Sequence, residues 1–180
     1  MMARYGMLID TKVCIGCYSC LLSCKRQNGL ASDQDFIRFE DRERGSYPNT
    51  LRESIPLQCM QCEDAPCVSV CPSGASYFGP DGLVSIDHGK CIGCRYCMSA
   101  CPYQVRTFDE EKGIADKCRF CAIQTLSGGK GCSCVEACLT NARIVGDLDD
   151  PTSELSRAIA QKNALPIAGD LTQAKIFYVR

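Results

Sequence analysis

The stretch from Cys91 to Pro102 reads C-I-G-C-R-Y-C-M-S-A-C-P, which spaces four cysteines as C-x2-C-x2-C-x3-C and puts a proline directly after the last. Three cysteines two residues apart on a tight loop can converge on three corners of a cubane iron–sulfur cluster, with loop amides directed at its sulfides. The fourth cysteine faces a neighbouring cluster, and the proline ends the turn because it has no amide hydrogen. The stretch therefore predicts a pair of [4Fe-4S] clusters.

Three further groups of four cysteines repeat this plan. The first group has the same spacing and consists of Cys14, Cys17, Cys20 and Cys24. The second has two extra residues before its third cysteine, ends with Pro72, and consists of Cys59, Cys62, Cys67 and Cys71. The fourth carries a 12-residue insertion and consists of Cys118, Cys121, Cys134 and Cys138. Together with Cys91, Cys94, Cys97 and Cys101, these groups supply sixteen thiolates, enough for four [4Fe-4S] clusters.

Cys132 is left over from the 17 cysteines among 180 residues. It is an alternative ligand to Cys134, but only Cys134 keeps the x3 spacing to Cys138 that ends the other three groups. Structural zinc is a second use of cysteine, and the fourth group taken alone fits a pair of zinc knuckles. Disulfides are a third use, but they require export, and Asp10 ends the first apolar run before any signal-peptide core. Iron–sulfur clusters are the reading that all four groups favour.

Charge and hydropathy exclude several function classes. Lys plus Arg number 20 against 21 Asp plus Glu, so a net charge of −1 argues against nucleic acid or anionic lipid as the main partner. No stretch approaches the roughly 20 apolar residues that span a bilayer, so we expect a soluble chain that meets a membrane only through a partner. No Ser-His-Asp, HExxH, Walker or GxGxxG pattern occurs, so nothing suggests substrate chemistry and we expect no enzyme activity from this chain on its own.

The four cysteine groups share a local plan that predicts an α+β fold with short strands and helices. An extended segment precedes each cysteine loop and single helical turn, at Tyr5–Ile9, Ser54–Leu57, Leu83–Ile86 and Ile114–Asp116. A second strand follows each turn, at Phe36–Phe39, Ser76–Phe78, Val105–Phe108 and Ala142–Val145. The turn residues at Gly79–Gly82 and Glu110–Gly113 predict hairpins between neighbouring strands. This is half of a ferredoxin, repeated four times.

Two segments lie outside this repeat. The charge run Glu40–Arg44 is either a solvated loop or a docking surface. Beyond Gly146, the segment Asp149–Thr152 is typical of a helix start, which predicts a helix over Ser153–Gln161 and a final strand over Lys175–Val179.

Several charged residues flank the predicted ligands. A positive charge there would favour the reduced, more negative cluster, although solvated side chains with no tuning role are an equal alternative. These cations are Lys12, Lys25, Arg26, Lys90, Arg95, Lys117 and Arg119. His88, the only histidine, precedes the third group, where we expect a loop residue rather than a redox or proton-relay group.

Over nearly its whole length the chain resembles the iron–sulfur electron-transfer subunit of the dimethyl sulfoxide reductase family of molybdopterin oxidoreductases. The resemblance rests on the four-group layout and on the segments Cys91–Pro102, Cys134–Cys138, Gly146–Pro151 and Ile176–Tyr178. It implies four [4Fe-4S] clusters, a large molybdenum or tungsten bis-pterin catalytic subunit as partner, often a quinone-reactive membrane anchor, and a role in anaerobic respiration.

The resemblance also implies that the first group shares its clusters with the fourth, and the second with the third. Cluster 1 would be held by Cys14, Cys17, Cys20 and Cys138. Cluster 2 would be held by Cys59, Cys62, Cys67 and Cys101. Cluster 3 would be held by Cys71, Cys91, Cys94 and Cys97. Cluster 4 would be held by Cys24, Cys118, Cys121 and Cys134.

The implied organisation is two interleaved ferredoxin modules with additions. Residues 1–26 and 114–146 would form the outer module, 53–108 the inner module, 27–52 an insertion, and 147–180 a C-terminal docking tail. The family usually has proline after the last cysteine, where this chain has Leu139, which should loosen that turn without removing a ligand. All four cysteines of the third group are present, so four full cubanes are expected rather than a [3Fe-4S] cluster.

The expected function is relay of single electrons between the pterin subunit and a membrane or other redox partner. A chain of this size is about 40 Å across, so four clusters inside it lie within tunnelling reach of their neighbours. The alternative is a wire of another complex, such as a tungsten aldehyde oxidoreductase, a hydrogenase or a flavin enzyme, or a free soluble carrier. The compartment stays open, because family members without a signal are exported while bound to a signal-bearing partner.

Overall fold

The computed structural model describes residues 3–121 and 131–180, so most of the 12-residue insertion in the fourth cysteine group lies outside the described residues. The elements follow one another as β1 (Tyr5–Asp10), α1 (Ser19–Asn28), β2 (Ile37–Ser46), β3 (Asn49–Gln58), α2 (Pro66–Ser69), β4 (Ser76–Phe78), β5 (Val84–Ile86), α3 (Tyr96–Ser99), β6 (Thr107–Asp109), β7 (Ile114–Asp116), α4 (Ser133–Glu136), β8 (Arg143–Asp147), α5 (Glu154–Lys162), β9 (Leu165–Pro166) and β10 (Ile176–Val179).

The strands pair between consecutive cysteine groups, and the last group pairs with the first. The second strand of each group pairs antiparallel with the first strand of the next, as β2–β3, β4–β5 and β6–β7. The last group returns to the first, because β8 pairs antiparallel with β1. The hairpins predicted at Gly79–Gly82 and Glu110–Gly113 are confirmed by the second and third of these pairs.

A four-stranded sheet in the order β8-β1-β10-β9 joins the two ends of the chain. Its central strand β1 is buried on both faces. Met7 and Ile9 face the main core, which contains most of the cysteines, and Leu8 faces a second apolar cluster built around Leu155 of α5. This alternation is the period of two expected of a strand with a core on each side. The final strand β10 lies parallel to β1, with Met7 opposite Ile176.

The charge run Glu40–Arg44 is part of a strand, so its reading as a loop is wrong. β2 continues from the predicted strand to Ser46 and pairs residue by residue with β3, which begins at Asn49. The prediction that the run is solvated agrees with the structure, because none of its residues is buried. Cross-strand pairing of unlike charges, such as Arg44 with Glu53 (3.0 Å), suits a two-stranded ribbon with water on its faces.

Other boundaries differ from the sequence predictions for local reasons. α1 has ten residues rather than one turn and ends at Gly29 in the left-handed region (φ 61°), a common helix stop. β6 begins at Thr107, because Gln104 adopts a left-handed backbone (φ 50°) that delays the strand. α5 begins one residue after Ser153, which caps it, and the short strand β9 was not predicted. β3 begins five residues before the predicted Ser54, whereas β4 and β7 match their predicted bounds, and β1, β5, β8 and β10 differ by one or two residues at an end.

The main core is formed largely by cysteine thiols and medium-sized apolar side chains. Its fully buried members include Met7, Phe36, Ile55 and Phe120. Among residues 3–121 and 131–180, no helix combines the length and the apolar character needed to cross a membrane.

Candidate metal centre

All four cysteine loops share one backbone feature. The residue before the second cysteine of each group has a positive φ, and these residues are Gly16 (62°), Gln61 (48°), Gly93 (69°) and Phe120 (57°). A left-handed residue reverses the chain sharply, so the cysteines on either side of it can face the same point. Two of the four positions carry the glycine that this conformation favours, and the other two carry side chains at some cost in backbone energy.

One cavity is lined by cysteines of the second group together with the last cysteine of the third. Apolar and backbone atoms form the rest of its wall, including Met60, Val84 and Tyr103. Its thiols are those of Cys59, Cys62, Cys67 and Cys101, the four residues expected to hold cluster 2.

A second cavity lies beside the first. It is bounded by Ala75, Ile86 and Ala115, and Arg106 contributes to the walls of both cavities. Its thiols are those of Cys71, Cys91, Cys94 and Cys97, the four residues expected to hold cluster 3. The backbone N–H of Ser76 donates to Cys71 Sγ (3.3 Å), the kind of amide contact that stabilises a thiolate.

A third cavity lies between α1 and the fourth cysteine group. Its thiols are those of Cys24, Cys118, Cys121 and Cys134, the set expected for cluster 4, together with Cys132. Cys138 is not among the described residues that line it, whereas Cys24 of the first group is. A zinc site built from the fourth group alone would use Cys138 instead. The Cys132 thiol donates to the carbonyl of Phe120 (3.3 Å), and its hydrogen bonds lower the pKa of Cys121 and Cys134.

The residues expected for cluster 1 come from both ends of the cysteine sequence. Cys20 is buried, Cys14 and Cys138 are half-buried, and Cys17 is exposed. The pKa of Cys20 is raised by burial and then, against the opposing charge of Arg143, by Cys134 and Cys14. Cys138 Sγ accepts a hydrogen bond from the amide of Ala142 (3.2 Å), as Cys71 does from Ser76. The last cysteines of two groups thus each accept a backbone amide, from four or five residues further along the chain.

The buried thiols need a positive charge in order to ionise. Burial raises the pKa of Cys24 to about 12 and that of Cys62 to about 11, and it raises the pKa of Cys118 well above the usual value. Neighbouring thiolates raise these values further. Thiolates are the form that binds metal, so four of them around one small cavity require cationic iron between them. Among the described residues, no three Cys, His, Asp or Glu side chains converge closely enough to hold a single metal ion. The donor set and its spacing around cavities therefore fit iron–sulfur clusters.

Two buried arginines among the cysteines were missed by the sequence reasoning. Arg106 and Arg143 are 8% and 3% exposed. Each follows the last cysteine of its group by five positions, as Cys101-x4-Arg106 and Cys138-x4-Arg143. This repeated spacing was visible in the sequence. It went unused because arginine is rarely a core residue.

Of the seven cations singled out beside the ligands, only Lys117 is buried, at 1% exposed; its ammonium donates to the carbonyl of Cys118 (2.9 Å). Arg95 lies over the ring of Phe108 and pairs with Glu110 at the surface (2.8 Å). Lys25 binds Asp35 (2.7 Å), and Arg119 binds Asp116 (2.8 Å). Lys12, Arg26 and Lys90 are exposed. The positions of these seven cations do not show whether any of them favours the reduced state of a cluster.

His88 is exposed, in a turn, with Nε2 3.3 Å from a carboxylate oxygen of Asp116. This agrees with the loop residue expected from the sequence.

Comparison with known proteins places this arrangement in a family. Two family models, both described as 4Fe-4S dicluster domains, match residues 13–75 and 50–148. The thiosulfate reductase electron transfer subunit of Salmonella typhi is 43% identical over 88% of this chain and 83% of its own length. A polypeptide of the polysulfide reductase of Wolinella succinogenes is 39% identical over 99% of this chain and 95% of its own length. This protein belongs to the iron–sulfur electron-transfer subunits of the molybdopterin oxidoreductase family.

A third member of this family, a subunit of the sulfite dehydrogenase of Allochromatium vinosum, is 42% identical over 89% of the chain and 76% of its own length. Two dicluster domains correspond to four [4Fe-4S] clusters, which confirms the cofactor expected from the sixteen paired cysteines. The names of the relatives also agree with the expectation that this electron-transfer subunit is not itself a catalytic chain. Two ferredoxin-type domains with short strands and helices agree with the predicted fold class at that level.

Proposed function

We propose that this electron-transfer subunit holds its four clusters in a single line, in the order 1–4–2–3, between two docking ends. When bound, each [4Fe-4S] cluster takes up and gives back one electron. The proposed ligands are the four sets given above, in which the first and fourth cysteine groups form an outer module (residues 1–26 and 114–146) and the second and third form an inner module (53–108). Three of these sets line one cavity each, which supports the assignment.

The order of the sets follows from which thiols are neighbours. Besides burial, Cys134 raises the pKa of Cys20, so the sets for clusters 1 and 4 adjoin. Cys59 likewise contributes to the raised pKa of Cys118, which connects the sets for clusters 4 and 2. The sets for clusters 2 and 3 meet where Cys67 contributes to the raised pKa of Cys97. These contacts give each middle set two neighbours and each end set one, which supports the proposed order.

Gln61 spans the junction between the two modules. Its side chain is fully buried, its amide donates to the carbonyl of Cys118 (3.2 Å), and its oxygen accepts from the backbone N–H of Val84 (2.8 Å). These bonds fix the loop of the second group against the first cysteine of the fourth. The spacing between the sets for clusters 4 and 2 therefore depends on a rigid, hydrogen-bonded contact.

Exposure of the two end loops is the observation that carries the proposal. Cys17 and Cys94 are the only exposed cysteines among the described residues, and they belong to the sets for clusters 1 and 3. Ile15 (66%) and Ile92 (68%) lie exposed beside them. In the middle of the line, the corresponding Met60 is buried. Bare apolar side chains over a redox centre suit partner docking, because contact there excludes water and shortens the distance to the partner's centre.

The partners proposed are a large molybdenum or tungsten pterin catalytic subunit at one end and a quinone-reactive membrane anchor, or another redox protein, at the other. The relatives named as parts of thiosulfate and polysulfide reductases support a catalytic partner of this kind. We assign the insertion 27–52, with its exposed ribbon, and the tail 147–180 to contacts within such a complex. Neither segment supplies a proposed ligand, and their exposed parts are available for docking, although β10, α5 and Phe36 also contribute to the apolar cores.

The test uses matched substitutions at the two ends. Ile15→Asp should weaken binding to one partner, and with it electron transfer, and Ile92→Asp should do the same for the other partner. Each Kd should rise about tenfold or more, because a carboxylate buried in an apolar contact costs more than about 1.4 kcal/mol. Ile15→Val and Ile92→Val are the controls and should bind normally. All four proteins should retain about 16 iron atoms and 16 sulfide ions per chain. Loss of transfer to the same partner in both Asp variants would contradict a line with two ends, and a stable monomer that serves several enzymes would favour the free carrier.

A further inference from the structure

Arg106 and Arg143 occupy equivalent places in the two modules. Arg106 lines the cavities of the sets for clusters 2 and 3. Arg143 donates from Nη1 to Gln58 Oε1 and to Met7 Sδ, and both of these residues line the cavity of the set for cluster 4. It also lies near Cys20 of the set for cluster 1, where its charge opposes the effect of burial on the pKa of that thiol. Each arginine follows the last cysteine of a group at the same spacing. Each module thus contains one buried guanidinium between its two cysteine sets.

Neither guanidinium has a protein counterion. No carboxylate forms an ion pair with Arg106 or Arg143 anywhere in residues 3–121 and 131–180. Apart from cysteine thiols, their polar partners are neutral: Arg106 Nη2 donates to Ser76 Oγ (2.9 Å), and Arg143 Nη1 donates to Gln58 Oε1 (2.6 Å) and Met7 Sδ (3.6 Å). Arg106 also hydrogen-bonds the thiols of Cys67 and Cys97. A buried charge without a counter-charge is costly, so a negative group must face each of them.

Each guanidinium also keeps one buried nitrogen without a hydrogen-bond partner among the described residues, Nη1 of Arg106 and Nη2 of Arg143. Burial alone would lower the pKa of Arg106, but the charges of Cys67, Cys97 and Cys59 outweigh it. The same balance holds for Arg143 with Cys134 and Cys20. The negative groups nearest to these unpaired nitrogens are therefore cluster thiolates from both sets of the module.

The geometry points to a shared electrostatic role: Arg106 raises the reduction potentials of clusters 2 and 3 together, and Arg143 raises those of clusters 1 and 4 together. A reduced cluster carries one more negative charge than an oxidised one, so a nearby buried cation stabilises the reduced state. Each arginine acts on two sites at once, so it moves the two potentials of its module in the same direction. This inference rests on the proposed ligand sets.

The experiment is a redox titration of the anaerobically purified complex, followed by electron paramagnetic resonance. Arg106→Gln should move two of the four potentials downward and leave the other two unchanged. Arg143→Gln should move the complementary two. Lys90→Gln removes a cation that is also adjacent to a proposed ligand but 65% exposed, and it should move none. A shift in one cluster only, in all four equally, or in the control to the same extent would overturn the proposal.

A second pair of variants tests the role of charge if removal of an arginine prevents the clusters from loading. One variant leaves Arg143 in place, and the other replaces Arg106 but keeps its positive charge. Gln58→Glu puts a carboxylate of nearly the same shape against Arg143, and its charge should lower the same two potentials that Arg143→Gln lowers. Arg106→Lys keeps the positive charge and should leave all four potentials near their normal values. Unmoved potentials in Gln58→Glu, or a paired downward shift in Arg106→Lys, would show that charge is not the cause. Iron and sulfide analysis identifies variants that do not load their clusters. Failure of the proposed function would appear separately, in the binding of the Ile15→Asp and Ile92→Asp variants to the two partners.

Discussion

In the proposed assignment, the inner and outer modules hold similar cysteine sets on very different scaffolds. The inner module is built on the short hairpin β4–β5 and on β6, which pairs with β7 at the start of the outer segment 114–146; each of these strands has three residues. The outer module lies against the four-stranded sheet, where β1 near one end of the chain pairs with β8 and with β10 near the other. A second apolar cluster around Leu155 supports the outer side of this sheet. The inner module has no comparable support among the described residues.

This difference indicates that the inner module depends more on its clusters for stability. Two-stranded hairpins are marginal in water without further packing. A sheet with apolar cores on both faces buries enough side chains to contribute on its own.

Removal of iron should unfold the inner module completely and the outer module later. Chelation leaves buried thiols around empty cavities, and the folding free energy supplied by thiolate–metal bonds is lost. Hydrogen exchange during anaerobic chelation should show the amides of Val84–Ile86 and Thr107–Asp109 losing protection before those of Met7–Ile9. Lasting protection of the inner hairpins in iron-free protein would mean that the module folds without its clusters.

Substitution of one proposed ligand in each module should remove one cluster. The loss of hydrogen-exchange protection can then be compared between the two modules. Cys97→Ser should damage cluster 3 and interrupt transfer to the partner at that end, and Cys20→Ser should do the same for cluster 1. Each variant should lose up to about four iron atoms. Because the inner scaffold is weaker, Cys97→Ser should also lose more hydrogen-exchange protection in its own module. Transfer at the original rate in Cys97→Ser would place the inner pair off the path.

The same contrast explains what the sequence could and could not predict. The inner hairpins were predicted nearly to the residue, because the turn at Gly79–Gly82 and the cysteine spacing are local signals. Only the inner end of the ribbon of β2 and β3 was predicted, at Phe36–Phe39 and Ser54–Leu57, because Glu40–Arg44 shows no apolar alternation although its backbone is extended. The parallel pairing of β1 with β10 and the short strand β9 depend on contacts between distant segments, which carry no local signal.

The candidate site shows the same division between local and distant information. All sixteen proposed ligands could be named from spacing, and the structure groups twelve of them around three cavities in the expected sets. Arg106 and Arg143 were overlooked, since an arginine buried without a carboxylate has a function only once the cysteine sets around it are known. Gln61 was overlooked as well, because its partners lie in two other cysteine groups.

Leu155→Ala should destabilise the outer module by about 2–5 kcal/mol, the usual cost of a leucine deletion in a packed core. Leu155 is fully buried and contacts the cluster that contains Leu8 and Val179. Anaerobic guanidinium unfolding, monitored by circular dichroism, measures this change. As a control, Leu171→Ala removes a leucine that is 64% exposed and should have little effect. The potentials that Arg106 influences should not move in either variant.

Gly93→Ala should destabilise the inner module more than Gly16→Ala destabilises the outer one. Both glycines have a positive φ, so each substitution costs about 1–2 kcal/mol of backbone energy. A methyl group at Gly93 would also meet the carbonyl oxygen of Gly113 at 2.6 Å, whereas at Gly16 it would meet the Ser54 hydroxyl, which can rotate away. Unfolding midpoints of the two variants measure the difference, and equal losses would show that backbone conformation alone sets the cost.

Ser153→Ala should lower the stability of the outer side by about 1 kcal/mol, because it removes the cap of α5. Ser153 Oγ accepts from the backbone N–H of Ser156 (3.1 Å) and donates to the carbonyl of Asp147 (2.8 Å), so one hydroxyl connects α5 to the end of β8. Ser153→Thr keeps the hydroxyl and should recover most of the loss. Since α5 covers Leu8 on the face of β1 opposite the cysteines, neither variant should change any reduction potential. A change in potential would show that the tail communicates with the clusters through β1, and the two faces of that strand would then not be independent.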